Sequence, residues 1–179
     1  MALSATIHQF TIGLSDVDRG VYETLEFKAA RHPSESAEYL ITRVLAFCLE
    51  YAEGIAFSRG LSDSDEPALS VRDLTGLLKV WIDVGSPDAA RLHKAGKAAP
   101  RVVVYTHKGS AQLQRQLEGE KIHRAEALEL YAIDRDIVAG LVQRLERRMA
   151  FDLSVTDRHL FISVGNATLS GSVEPIPLA

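Results

Sequence analysis

The chain has a single cysteine, Cys48, among 179 residues, and no run of apolar residues free of charge approaches the length that spans a bilayer. One thiol excludes a disulfide framework. It sits among Leu45, Phe47 and Leu49 on a helical repeat, where a thiol packs as a small apolar group. The start, MALSATIHQFTIGLSD, lacks the basic residues and long apolar stretch of a secretory leader, so a soluble cytoplasmic protein without membrane contact is expected. The six histidines are scattered at His8, His32, His93, His107, His123 and His159, without the spacing of a zinc site. The Gly85-Ser86 pair falls short of a nucleophile elbow, which needs G-x-S-x-G. An excess of positive charge is also missing. The net charge of −4 argues against tight, indiscriminate coating of nucleic acid, which needs clustered cations.

The charge that is present is unevenly placed. Between Ser34 and Glu66 the acids Glu35, Glu38, Glu50, Glu53, Asp63, Asp65 and Glu66 meet only Arg43 and Arg59, whereas Lys79, Arg91, Lys94, Lys97, Arg101 and Lys108 follow. An acidic pocket with a basic rim suits a cation and a phosphate together. The plainer reading is that most of these charges lie on solvated faces.

Periodicity divides the rest. His8, Phe10, Ile12 and Leu14 share one parity, and after DVDRG so do Val21, Leu25 and Phe27, which predicts a hairpin. Leu40, Ile41, Val44, Leu45, Cys48 and Ala52 follow the helical period until Gly54. Three extended runs come next: IAFSRGL, PALSVRDL and LLKVWIDVG. Ser86-Pro87-Asp88 predicts a helix start with Ser86 as cap, running to about Gly96. RVVVYTH predicts a strand buried on both faces, followed by a short helix from Ser110 and the strand LELYAI, paired in parallel by a right-handed crossover. A last helix is expected over Asp136 to Met149, and the runs FDLSVTD, HLFISVG and ATLSGSVEP close the chain as strands. The fold class is therefore α/β with a mixed sheet in one domain. The α/β core covers about 32–150, and the amino-terminal hairpin (about 4–30) and carboxy-terminal strands (about 150–176) pack together as an added β-sheet.

The chemistry concentrates in EPALSVRDLTGLLKVWIDVGSPD, residues 66–88. If DLTG is a tight connection in which Asp73 pairs with Gly76, Glu66 falls opposite Asp83. Directly opposed residues have Cβ atoms about 5 Å apart, so two carboxylates would converge, and a divalent cation is the group that relieves them. Mg2+ is the expected cofactor, with Glu66 and Asp83 as ligands. On the following helix Lys94 is placed to reach back and steady an oxyanion, with Arg91 one turn earlier on the same face. Lys94 and Arg91 are equally ordinary exposed helix residues on base rates, and Glu38 and Arg43 could form structural ion pairs with other helix residues.

RHPSESAEYLITRVLAFCLEYAEG, RGLSDSDEPAL and VWIDVGSPDAARLHKA, together with the amino-terminal hairpin, resemble the bacterial YaeQ family along essentially the whole chain. That resemblance implies the fold of the PD-(D/E)XK nuclease superfamily, a restriction-endonuclease-like αβββαβ core. On that likeness Glu66 matches the first acid, followed rather than preceded by its proline, Pro67, and Asp83 matches the second. Gly85 stands where the motif lysine belongs, so Lys94 is the migrated lysine, and Glu38 matches a further acid contributed by the first helix. The function implied is a Mg2+-dependent nuclease-like phosphodiesterase acting on nucleic acid. The alternative is a non-catalytic nucleic-acid- or protein-binding regulatory module on the same scaffold.

Overall fold

In the computed structural model, which describes residues 4–58 and 65–178, the opening alternation becomes β1 (Thr6–Asp16) and β2 (Val21–Arg31), paired antiparallel in full register. Phe10, Ile12 and Leu14 of β1 and Leu25 and Ala29 of β2 face the core. The helix α1 (Ala37–Leu49) begins where Ser36 accepts a hydrogen bond from the Tyr39 amide. Every residue of α1 from Leu40 to Leu49 is buried, so it has no solvent face and runs through the interior. Its one charged interior residue, Arg43, is neutralised by Glu35, whose Oε1 accepts from Arg43 Nε at 2.9 Å.

Three antiparallel strands follow, β3 (Ile55–Phe57), β4 (Leu69–Arg72) and β5 (Leu78–Val84). The end of the first expected run, residues 59–61, and Asp63 lie outside the described residues. A helix, α2 (Ala89–Ala98), returns the chain to β6 (Arg101–Thr106), and α3 (Ser110–Leu117) returns it to β7 (Glu129–Ile133). Both crossovers give parallel pairs. Leu92, Leu113 and Leu117 cover the outer face of these strands over Trp81, Val102 and Val104, while Ile82, Val103 and Tyr105 face α1. Cover on both faces is what the unbroken Val102-Val103-Val104 run requires. Trp81 itself is buried in this layer.

The last helix, α4 (Arg135–Gln143), is shorter than its periodicity predicts. Leu145 and Met149 continue the spacing, yet Met149 already belongs to β8 (Arg148–Thr156), which pairs in parallel with β1. A free strand edge at β1 captures this backbone, and tertiary pairing overrides the local pattern. β9 (His159–Val164) and β10 (Ala167–Pro175) complete the chain. The expectation of a separate accessory sheet is corrected here. β10 pairs with β9 along its first part and with β7 near its end, giving one ten-stranded sheet, β2-β1-β8-β9-β10-β7-β6-β5-β4-β3. That sheet curls nearly closed around α1. The rings of Phe27 on β2 and Phe57 on β3, the two edge strands, lie 5.7 Å apart, with Phe47 of α1 stacked on Phe57 and tilted against Phe27.

An ion network ties the end of α1 to the sheet. Arg101 donates to both oxygens of Glu129 at 2.6 and 3.0 Å and to Glu50, which also accepts from the Tyr105 hydroxyl at 2.7 Å. Burial works against the charge of Glu129, but the hydrogen bonds and positive charge of Arg101 outweigh it and hold this carboxyl below its ordinary value of 4.5. A depressed folded pKa stabilises the protein above the ordinary value and withdraws that stability as pH falls through the folded one. Urea midpoints taken from pH 6 down through pH 3 should therefore fall less steeply in Glu129→Gln than in the parent. Equal slopes would assign no linkage to this residue.

Candidate functional site

Some of the residues singled out above gather at the carboxy-terminal end of β5. Asp83 lies on the outer, α2-facing side of β5, the side its parity predicts, and is buried. Its carboxylate is held at both oxygens. Arg91 Nε donates to Oδ2 at 2.8 Å and Arg91 Nη2 to Oδ1 at 3.0 Å, a two-pronged pair, and the Ala68 amide donates to Oδ1 at 3.2 Å. The guanidinium also lies over the Trp81 ring, 5.3 Å from its centroid.

The expected register between β4 and β5 is two residues out. Leu69 pairs with Ile82 and Val71 with Val80, so the residue next to Asp83 is Ala68 rather than Glu66. Two local features account for the slip. Asp73 Oδ1 accepts from the amides of Thr75 and Leu77 and lengthens the connection by one residue, and the pairing shifts again between Val71 and Arg72. A slip of two preserves the faces, which is why the predicted parity of Asp83 survives. Glu66 meets this cluster through its backbone, its carbonyl oxygen accepting from Arg91 Nη2 at 2.6 Å.

Arg91 rather than Lys94 reaches Asp83 because the helix starts later than Ser86 would set it. Asp88 is the cap, accepting from the Arg91 amide at 2.8 Å, and this puts Arg91 in the first turn beside the strand end. The hydroxyl of Ser86 is buried without a partner among the described residues. Lys94 pairs instead with Asp65, both largely exposed.

Beside this cluster a cavity of about 370 Å3 is lined by Glu38, His107, Lys108, Gln112 and Arg135. It opens at the first turn of α3, whose cap Gly109 offers no side chain to the free amides. Arg135 lies against Gly109 and donates to the Lys108 carbonyl oxygen at 2.6 Å. Burial and the charge of Lys108 push the pKa of His107 down, against the opposing carboxylate of Glu38. Its Nδ1 has no hydrogen-bond partner among the described residues. The cations Lys108 and Arg135 and the amino-terminal turn of α3 thus face this cavity together with the carboxylate of Glu38.

A family model described as YaeQ protein matches residues 1–173. The chain belongs to the YaeQ family. The YaeQ protein of Escherichia coli strain K12 is 33% identical over 165 residues, covering 91% of each chain, and that of Salmonella typhi is 31% identical over 164 residues, again 91% of each. Crystal structures of YaeQ proteins superpose throughout. The one from Xanthomonas axonopodis pv. citri gives a TM-score of 0.88 at 31% identity, covering 98% of this chain and 100% of that one. The one from Pseudomonas syringae gives 0.86 at 29%, covering 97% and 96%.

In this YaeQ-family chain the predicted residues therefore divide. Asp83 and Arg91 meet directly, Glu66 joins through its backbone, Lys94 turns to Asp65, and Glu38 lines the adjoining cavity. Lys108 and Arg135 were not singled out as site residues. Their signal was available in part, since Lys108 follows a buried strand and precedes the Gly109-Ser110 helix start.

Proposed function

We propose that this chain is a non-catalytic module that binds nucleic acid through its phosphates at the carboxy-terminal edge of β5 and β6. The observation that carries this reading is the guanidinium of Arg91 on Asp83, because it occupies both carboxylate oxygens that a magnesium ion would need. The residues present do not fit the ion. Glu66 is out of register with Asp83, and no group of three histidine, cysteine or acidic side chains converges among the described residues. The order α1, β3, β4, β5, α2, β6 supports descent from a PD-(D/E)XK scaffold, whose cleaving chemistry would require Arg91 to leave Asp83. The cavity of Lys108 and Arg135 at the α3 amino terminus supports the binding half of the reading, since it offers two side-chain cations and main-chain donors to one phosphate.

Fluorescence anisotropy with labelled single-stranded and duplex oligonucleotides, in chelator, tests both halves. Binding is expected to weaken with salt and to depend little on sequence. The Lys108→Ala, Arg135→Ala double variant should lose about tenfold or more in affinity at low salt and flatten the slope of log K against log salt by about 2. Absence of binding to either nucleic acid at about 50 mM salt overturns the module. Magnesium-stimulated cleavage by the parent, lost in Asp83→Ala, overturns its non-catalytic character in favour of the phosphodiesterase.

A further inference from the structure

We propose that a second cavity, of about 210 Å3 at the opposite end of α1, is a binding site for a small organic carboxylate held by the guanidinium of Arg158. Six separate stretches of chain converge there. Asp18 and Arg19 come from the β1–β2 turn, Leu49 and Glu50 from the end of α1, and Tyr105 and Tyr131 from the neighbouring strands β6 and β7. The two tyrosine rings stack with centroids 5.4 Å apart. Val155 and Val173 add aliphatic wall. An apolar body with a few converging polar groups is the usual make-up of a small-molecule pocket.

Nearly every ionised group at this cavity is already satisfied by the protein. Arg19 donates to Asp16 and to the carbonyl oxygens of Cys48 and Tyr51, closing the end of α1. Arg101 is spent on Glu50 and Glu129, and the hydroxyls of Tyr105 and Tyr131 donate to those same two carboxylates. Asp18 accepts from the amides of Asp157 and Arg158 at 2.7 and 2.9 Å. Arg158 differs. Its guanidinium lies over the Tyr131 ring, 4.8 Å from the centroid, and donates no hydrogen bond among the described residues. Its charge also acts on the Glu129 carboxylate, and its exposed N–H groups stay open to an acceptor from outside the protein.

The backbone points the same way. Asp157 and Arg158 form the two-residue turn between β8 and β9, both left-handed at φ 51° and 58°. Asparagine and glycine are the favoured residues of such a turn, and an arginine in its second position is strained. The Asp18 clamp holds that strained turn in place and sets the guanidinium at the pocket mouth. A residue carried against the preference of its own backbone earns its place through its side chain, and this one presents a flat, two-pronged donor matched to a carboxylate.

The test is chemical-shift titration of the full-length protein with benzoate, succinate and inorganic phosphate, in parent, Arg158→Gly and Arg158→Lys. Saturable shifts with benzoate or succinate at the amides of Tyr131, Arg158 and Val173, at least tenfold weaker in Arg158→Gly and partly restored in Arg158→Lys, are expected. Arg158→Gly should melt no lower than the parent, since glycine suits the turn, which separates lost binding from lost folding. Three results each overturn the proposal: no saturable shift with either carboxylate at millimolar concentration, carboxylate binding that survives Arg158→Gly, or phosphate binding in place of carboxylate binding.

Discussion

Arg91→Ala is expected to destabilise the protein by about 3 kcal/mol or more, which is large for a residue outside the apolar core. The carboxylate of Asp83 is almost wholly shielded from water, at 3% side-chain exposure, and Arg91 bonds both of its oxygens. Truncating the cation leaves that negative charge buried against the single amide of Ala68. Asp83→Ala strands a guanidinium that is 25% exposed and can turn to water, so its cost should be smaller. The double variant should fall short of the sum, because each single change breaks the same pair. Urea denaturation of the four proteins measures this directly. An Arg91→Ala loss below about 0.5 kcal/mol would mean that the pair is loosely held, and it would reopen Asp83 to a metal ion.

Gly54→Ala should cost about as much for an unrelated reason. Gly54 ends the turn from α1 into β3 with φ at +92°, and a Cβ there would stand 2.0 Å from the carbonyl oxygen of Arg72. That neighbour is backbone, and it is fixed by the reverse bond from the Arg72 amide to the Gly54 carbonyl oxygen at 3.2 Å. Left-handed strain at a residue with a side chain contributes about 1–3 kcal/mol, and the overlap adds to it because β4 must shift as a unit. Gly119 supplies the control. It is also left-handed, at φ +76°, but a Cβ there meets nothing within 4 Å. The denaturation midpoint of Gly119→Ala should move modestly and that of Gly54→Ala severely, by about 3 kcal/mol or more in total. Equal shifts would show that β4 yields to the added methyl.

How much of this was legible beforehand varies with the range of the interaction responsible. The hairpin parities of β1 and β2, the interior helix from Leu40 to Cys48 and the doubly covered strand Val102 to Val104 were all readable, since each is a periodicity that burial imposes along the chain. The face of Asp83 was readable too, for the same reason. Its partner was not. Whether Glu66 or Ala68 stands beside it turns on a single aspartate side chain, Asp73, that lengthens the connection, and on a shift in pairing that leaves no periodic trace. The start of α2 was read two residues early, at Ser86 rather than at the Asp88 that caps it, and that difference decided whether Arg91 or Lys94 faced the carboxylate.

The sequence by itself determined the mixed α/β class, the order of the elements and which face of each one is apolar, because these follow from local propensity and from repeats of 2 and 3.6 residues. Only the tertiary structure decided that β10 joins both groups of strands into one sheet, that Met149 is a strand residue, and that the charge of Asp83 is met by Arg91. Those outcomes depend on pairings between residues far apart in the chain. Hydrogen-bond geometry and the cost of burying an unpaired charge select among such pairings, and neither quantity exists until the chain has closed around its helix.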